Sequence, residues 1–199
     1  MSIIASNDLD EYSISKLWDN GAKVDILAVG TNLVTAADQP SLGGVYKLKS
    51  INGVDKMKIS GDAIKRTIPG ATEILRMLDG NGNFIGDVIT SHGFFVQSCG
   101  TLKTPIISIN PKNGVERTYD KNTMFYKPMV RAVTYGEIDE DIMQRDVQDI
   151  AAATAHNLGR LDKKYKRVTN PCEYHAGIEQ GLYQTQTDMV LNQILQHTK

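Results

Sequence analysis

The chain has 199 residues, enough for one sizeable hydrophobic core or two small ones. Hydrophobic residues make up 41% and charged residues 23%, a globular composition, and the formal net charge of -1 gives no basis for a nucleic-acid surface or a polybasic membrane anchor. Cys99 and Cys172 stand far apart without metal-ligand or disulfide spacing, no apolar run approaches the length of a membrane span, and the N-terminus lacks a secretory pattern, so a cytoplasmic protein with reduced thiols is expected.

Ser2-Ile3-Ile4-Ala5 reads as a short buried strand. Ser6-Asn7-Asp8 follows as a turn and helix cap, because short polar side chains accept from the first free helical N–H groups. The spacing of Leu9, Ile14, Leu17 and Trp18 predicts a helix from about Asp8 to Asn20, with Asn7 as cap, Asp10 accepting in return and Gly21 as the stop. Val24 to Val29 reads as a second buried strand. Strand, helix and strand make a βαβ unit, which is almost always parallel. A two-stranded parallel sheet is not stable by itself, so either more strands come from elsewhere or the opening is truncated, and the exposed edge at Ser2 to Ala5 predicts poor solubility.

After Thr35 the pattern changes. Leu42 to Ile51 reads as extended. Thr72 to Leu78 and Phe84 to Thr90 flank Asp79-Gly80-Asn81-Gly82-Asn83, a hairpin signal because glycine and asparagine tolerate positive φ. Thr104 to Gly114, with Pro105 and Pro111, reads as irregular. Met143, Val147, Ile150, Thr154 and Leu158 recur at helical spacing and predict one helix over 139–158, with an acidic start suited to the helix dipole. Arg160 to Arg167 reads as a solvated basic linker, and a last helix is expected around Ile178 to Gln196. The boundaries implied are a strand-helix-strand region over 1–50 and a mixed α+β region over 51–199.

Both opening strands end in a candidate phosphate site. Ser6 and Asn7 follow the first, at an expected helix N-terminus whose N–H groups and dipole attract anions. Gly30 and Thr31 follow the second: glycine lets backbone approach an oxygen closely, and threonine adds a hydroxyl. Phosphates bind in the loops after strands 7 and 8 of many (β/α)8 barrels, and the pattern suits those strands. Against it stand Asp8, Asp10 and Glu11, three carboxylates beside the first loop; an ordinary capped helix and a tight turn are the alternative. His92, His156, His175 and His197 show no i,i+4 pairing, so metal binding has no local support. No catalytic residue and no metal ligand emerges from spacing alone.

A string of landmarks resembles the C-terminal half of the nicotinate phosphoribosyltransferases. These are Ser6-Asn7-Asp8-Leu9-Asp10-Glu11, Val29-Gly30-Thr31, the long stretch from Thr35 to Leu48, Lys65-Arg66-Thr67-Ile68-Pro69-Gly70, Lys127-Pro128-Met129 and Lys166-Arg167-Val168-Thr169-Asn170-Pro171, in family order. The resemblance implies an α/β fold: the last strands of a (β/α)8-type phosphoribosyltransferase barrel, followed by a mixed β-hairpin and helical C-terminal region.

It also implies formation of nicotinate mononucleotide from nicotinate and phosphoribosyl pyrophosphate in NAD salvage, with ATP hydrolysis and with Mg²⁺ accompanying the pyrophosphate substrate. Neither Mg²⁺ nor ATP is expected to be bound by this chain's own residues. Ser6, Asn7, Gly30 and Thr31 become the implied contacts of the ribose 5-phosphate. The family's phosphoryl-accepting histidine, its nicotinate-binding arginines and its Asp-Ser-Gly-Asp stretch lie upstream of everything here, so the chain is expected to be inactive alone. Its expected partners are the missing N-terminal half or a homo-oligomer, with no nucleic acid and no membrane. The alternatives are a non-catalytic phosphosugar or nucleotide-binding module, or a remnant that docks on a full-length homologue. Ala28 stands where the family usually has glycine, and Cys172 where it usually has histidine.

Overall fold

Ile4–Ala5 (β1) and Ile26–Leu27 (β2) pair in parallel, with Ile4 opposite Ile26 and Ala5 opposite Leu27. The connection between them carries helix α1, Glu11–Asp19, which completes the expected βαβ unit. The structure, a computed structural model, describes residues 1–41 and 43–197. It divides into two units: Met1–Tyr46 with Lys163–Cys172, and Lys47–Asp162 with the chain from Glu173 onward.

In the first unit the helix starts later than its sequence suggests. Asp10 is the N-cap: its carboxylate accepts from the Ser13 N–H at 2.7 Å, while the Ser13 hydroxyl accepts from the Asp10 N–H at 2.9 Å. The reciprocal pair closes a capping box with serine in the usual Glu/Gln position. Asn7, the expected cap, instead sits in a left-handed turn with Asp8, at φ +92° and +44°. Thr31–Thr35 (α2) follows β2 as a five-residue helix ended by Ala36 in the left-handed region. Leu9 is the one buried apolar side chain among the described residues of 1–46, while Ile3, Ile4, Trp18, Ile26, Leu33 and Val34 are exposed.

The second unit is built on a seven-stranded mixed sheet. A small hairpin, Ser50–Ile51 (β3) with Val54–Asp55 (β4), precedes it. Only the end of the extended segment expected over 42–51 is therefore strand, and Leu42, its expected start, lies outside the described residues. Thr72–Leu78 (β5) and Phe84–Ser91 (β6) form the expected hairpin. Asp79 holds its turn by accepting from the N–H groups of Asn81 and Asn83. Cys99–Thr101 (β7), Ile106–Ile109 (β8), Glu116–Tyr119 (β9) and Met124–Tyr126 (β10) follow. β8 corrects the irregular reading of 104–114: the two prolines bound a four-residue apolar strand instead of dissolving it.

Val133–Thr134 (β11) and Glu137–Ile138 (β12) make a second small hairpin. The long helix expected over 139–158 is two helices, Glu140–Met143 (α3) and Val147–Gly159 (α4). Asp139 and Asp146 each turn a carboxylate onto the N–H two residues on and start a helix of their own. Met143, Val147, Ile150 and Leu158, which recur at helical spacing, are all exposed. Ala176–Glu179 (β13) then enters the sheet, and Gln180–His197 (α5) closes the described chain. Ile178, expected to open this helix, is a strand residue with 1% exposure.

The strand order is β7-β10-β5-β6-β13-β8-β9, with only β13 and β6 parallel. Leu75, Met77, Val88, Leu102, Ile106, Tyr119 and Phe125 form the core. Leu182, Gln186 and Val190 are buried along one stripe of α5, and the Gln186 amide donates to the Thr67 carbonyl at 3.1 Å. Two glycines are forced by close approach. A Cβ on Gly86 would lie 1.9 Å from the Tyr119 hydroxyl, and one on Gly177 would lie 2.3 Å from the Ser108 hydroxyl.

Candidate functional site

Parallel pairing of β1 and β2 sends both strands out at the same end, so the Ser6-Asn7 and Gly30-Thr31 connections leave from neighbouring positions. The Ala28 N–H donates to the Ala5 carbonyl at 2.8 Å, extending the pairing toward those connections. Asn32, which sequence reasoning did not single out, ties them together: its amide donates to the Leu9 carbonyl at 3.1 Å and the Asp8 carbonyl at 3.3 Å. Ser6, Asn7, Gly30 and Thr31 are all exposed.

The two loops differ in what they offer. Gly30 is the N-cap of α2, and its carbonyl accepts from the N–H groups of Leu33 and Val34. The N–H groups of Thr31 and Asn32 therefore stand ahead of the intrahelical ladder. A Cβ on Gly30 would meet no protein atom within 4 Å, so the space beside its backbone is open. On the other side, the N-terminus of α1 is taken up by its own Asp10–Ser13 box. Ser6 and Asn7 therefore lie in the turn ahead of that helix, not at its N-terminus.

A cleft of about 590 Å³ opens beside these loops, lined by Asp10, Glu11, Tyr12, Val29, Asn32 and Asp38 among others. Two of its three carboxylates, Asp10 and Asp38, are tied locally. Hydrogen bonds from Ser13 hold the Asp10 carboxyl below its ordinary range, and the Tyr12 hydroxyl donates to Asp38 at 2.9 Å, which pushes the phenol up.

The second unit carries three polar clusters. Arg76 and Asp87, directly opposite in the β5–β6 register, form a bidentate pair at 2.8 Å, and the Tyr174 hydroxyl donates to the same carboxylate at 3.2 Å. Burial, then the neighbouring Asp87 charge, raises the Tyr174 phenol far above its ordinary value. The Arg76 and Arg160 guanidinium groups lie over the Phe84 ring at 4.8 and 4.5 Å. Arg160 is thereby held in the structure by stacking and by donation to the Gly82 carbonyl, which corrects the solvated reading of that residue.

The second cluster is Glu73, buried, with the Lys127 ammonium 2.8 Å away and His92 at 3.7 Å. Lys127 of the Lys127-Pro128-Met129 landmark is thus an internal ion-pair partner. The third is His175 against the Ser108 hydroxyl at 3.2 Å; burial and Arg117 lower the imidazole below its ordinary value. Ser108 has no exposure at all, so this pair offers no accessible nucleophile. Cys99 and Cys172 are free and exposed. Among the described residues no helix is long and apolar enough to cross a membrane.

A family model for the nicotinate phosphoribosyltransferase C-terminal domain matches residues 72–186. The chain belongs to the nicotinate phosphoribosyltransferase family. That match spans the Arg76, Lys127 and His175 clusters and begins beyond the paired loops. Similarity to individual nicotinate phosphoribosyltransferases extends further toward the N-terminus. The Bacillus subtilis (strain 168) protein is 32% identical over 186 residues, covering 91% of this chain and 37% of its own length. The human protein is 28% identical over 181 residues, covering 90% of this chain and 32% of its own.

The crystal structure of human nicotinic acid phosphoribosyltransferase shares the fold, with a TM-score of 0.63 at 20% identity, covering 96% of this chain and 33% of that one. The chain thus spans about a third of the length of these nicotinate phosphoribosyltransferases.

Proposed function

We propose that this chain is the C-terminal portion of a nicotinate phosphoribosyltransferase. In this reading the whole enzyme forms nicotinate mononucleotide and pyrophosphate from nicotinate and phosphoribosyl pyrophosphate, with ATP hydrolysis, in cytoplasmic NAD salvage. β1 and β2 are the last two strands of its (β/α)8-type barrel, and the chain is inactive alone. The observation that carries the reading is the pairing of β1 with β2, which sets two small-residue loops side by side ahead of a matched family domain.

The substrate dictates what such loops do. Phosphoribosyl pyrophosphate carries many negative charges, and its C1 becomes electron-poor as pyrophosphate departs. Fixing the 5-phosphate at one end holds C1 in place for the attacking ring nitrogen, and positioning of this kind supplies much of the acceleration in two-substrate reactions. Backbone N–H groups at Gly30 and Thr31, the Thr31 hydroxyl, and the Ser6-Asn7 turn are the phosphate contacts in this reading.

Among the described residues no group of three or more His, Cys, Asp or Glu comes together to hold a metal ion. Mg²⁺ and ATP enter the reading with the substrates and with residues upstream, as do the groups that select nicotinate.

The test is turnover by the chain alone and by the chain co-expressed with the upstream portion of the Bacillus subtilis relative. The reading expects nicotinate mononucleotide from the pair only, with calorimetric binding of that product by the pair. Binding by the chain alone without turnover in the pair would replace it with a phosphate-binding module.

A further inference from the structure

We infer that residues 129–159 are a docking arm for the upstream part of the nicotinate phosphoribosyltransferase fold, the length of the relatives that this chain does not span, an inference that rests on reading the chain as a portion of that enzyme. Every residue of this stretch is exposed except Ile142, which is half-buried. A helix as short as α4 is marginal in water without a packed face. Yet α4 has no buried residue, and its Val147, Ile150, Ala151, Thr154 and Leu158 recur as one stripe. Met129, Val130, Val133, Ile138 and Met143 add exposed apolar surface along the same arm.

Both ends of the arm are fixed. Before it, Lys127 is pinned to Glu73; after it, the Arg160 carbonyl accepts from the Phe84 N–H at 3.0 Å and the Arg160 side chain stacks on Phe84. At the base of α4 a cleft of about 430 Å³ is lined by Arg76, Phe84, Asp87, Asn157, Leu158 and Tyr174. A fixed frame with an unburied apolar stripe beside an open cleft is the form of a preorganised docking surface, in which one anchor side chain fills the cleft and the stripe excludes water.

The occupant follows from length and charge. The family match over 72–186 contains the whole arm, so the arm is part of the shared domain. The human structure aligns with 96% of this chain, and the chain accounts for only 33% of that structure. The remaining polypeptide is the surface available to cover the arm. The arm is acidic, with Glu137, Asp139, Glu140, Asp141, Asp146 and Asp149 against Arg131 and Arg145. A two-fold contact between two copies of the arm would set acid against acid, which disfavours a second copy as the partner. The fitting face is apolar with a basic border.

Hydrogen exchange on the full chain tests this, alone at several concentrations and co-purified after co-expression with the upstream portion of the Bacillus subtilis relative. Amides of 147–159 are expected to exchange freely in the chain alone and to slow by about tenfold or more in the complex. Ile150→Asp is expected to leave the melting of the chain alone unchanged while weakening the complex by about tenfold or more. An active complex whose arm exchanges as in the free chain would overturn the arm and leave the functional reading standing. Protection that grows with concentration of the chain alone would overturn it in favour of a second copy. Failure to co-purify and to turn over would remove both.

Discussion

Arg76 and Asp87 face each other across the β5–β6 hairpin and lock fork to fork, Nε to Oδ1 and Nη2 to Oδ2, each at 2.8 Å. Asp87 holds the guanidinium above its already high ordinary value, and Tyr174 donates to the same carboxylate. The two side chains retain 27% and 18% exposure, so the pair is shielded enough to matter and wet enough to escape the full cost of buried charge. Arg76→Met is expected to lower stability by about 2 kcal/mol, because two charge-assisted hydrogen bonds are lost and Asp87 is left with a single weaker donor. Asp87→Asn keeps an acceptor toward Arg76 and is expected to cost about 1 kcal/mol. Urea midpoints of the two variants check both values; equal, negligible losses would show that the pair contributes nothing.

Glu73 is more deeply buried, at 6% exposure, and depends on Lys127 at 2.8 Å. Lys127→Met leaves a carboxylate inside the protein with only the distant His92 and is expected to cost about 3 kcal/mol. Adding Glu73→Gln removes the stranded charge, and the double variant is expected to regain most of that loss. A double variant no more stable than Lys127→Met would mean that Lys127 acts by donating to the Phe95 carbonyl instead.

The sequence makes some of this legible and hides the rest for physical reasons. The β5–β6 hairpin is readable because Asp79-Gly80-Asn81-Gly82-Asn83 carries its own turn chemistry, and its register then sets Arg76 opposite Asp87. The capping box of α1 is only half readable: Asp10 is in plain view, but serine does at position 13 what glutamate or glutamine usually does. The insertion of β13 between β6 and β8 is not readable, because it joins residues separated by most of the second unit. The amphipathic stripe of 143–158 misleads for a different reason. The spacing runs on across Asp146, whose carboxylate caps a second helix of its own. Of the candidate site, Ser6, Asn7, Gly30 and Thr31 could be picked from residue type after a strand, whereas the bridging role of Asn32 emerges only once β1 and β2 are paired.

His175 gives the fold a pH dependence with a definite sign. Its imidazole sits against Ser108, near Arg117 and Glu173 and edge-on to the Tyr119 ring, and burial together with Arg117 lowers its pKa below the ordinary 6.5. A histidine that prefers to be neutral when folded makes the unfolded chain bind more protons between the lowered value and the ordinary one. Stability is therefore expected to be constant with respect to this group above about pH 6.5, to fall as pH drops through that window, and to level off below the folded value. His175→Gln should flatten that step. An NMR titration placing the His175 midpoint above 6.5 would reverse the sign and contradict the assignment.

Gly30 separates the fold from the proposed chemistry. A Cβ there would meet no protein atom within 4 Å beyond its chain neighbours, so the side-chain space itself is open. Gly30→Ala is therefore expected to cost the fold only about 1 kcal/mol, the preference of an N-cap for glycine over alanine. If the backbone at Gly30 approaches a phosphate oxygen closely, the added methyl occupies the ligand's own space. The paired enzyme should then show a KM for phosphoribosyl pyrophosphate raised by about tenfold or more, with a smaller change in kcat. Thr31→Ser, which keeps the hydroxyl, should change the same KM by less than about twofold, whereas Thr31→Val, which loses it at similar size, should raise the KM by roughly fivefold or more. Unaltered kinetics in Gly30→Ala and Thr31→Val, measured in the co-expressed pair, would place the 5-phosphate away from the end of β2 and leave the loop as an ordinary helix start.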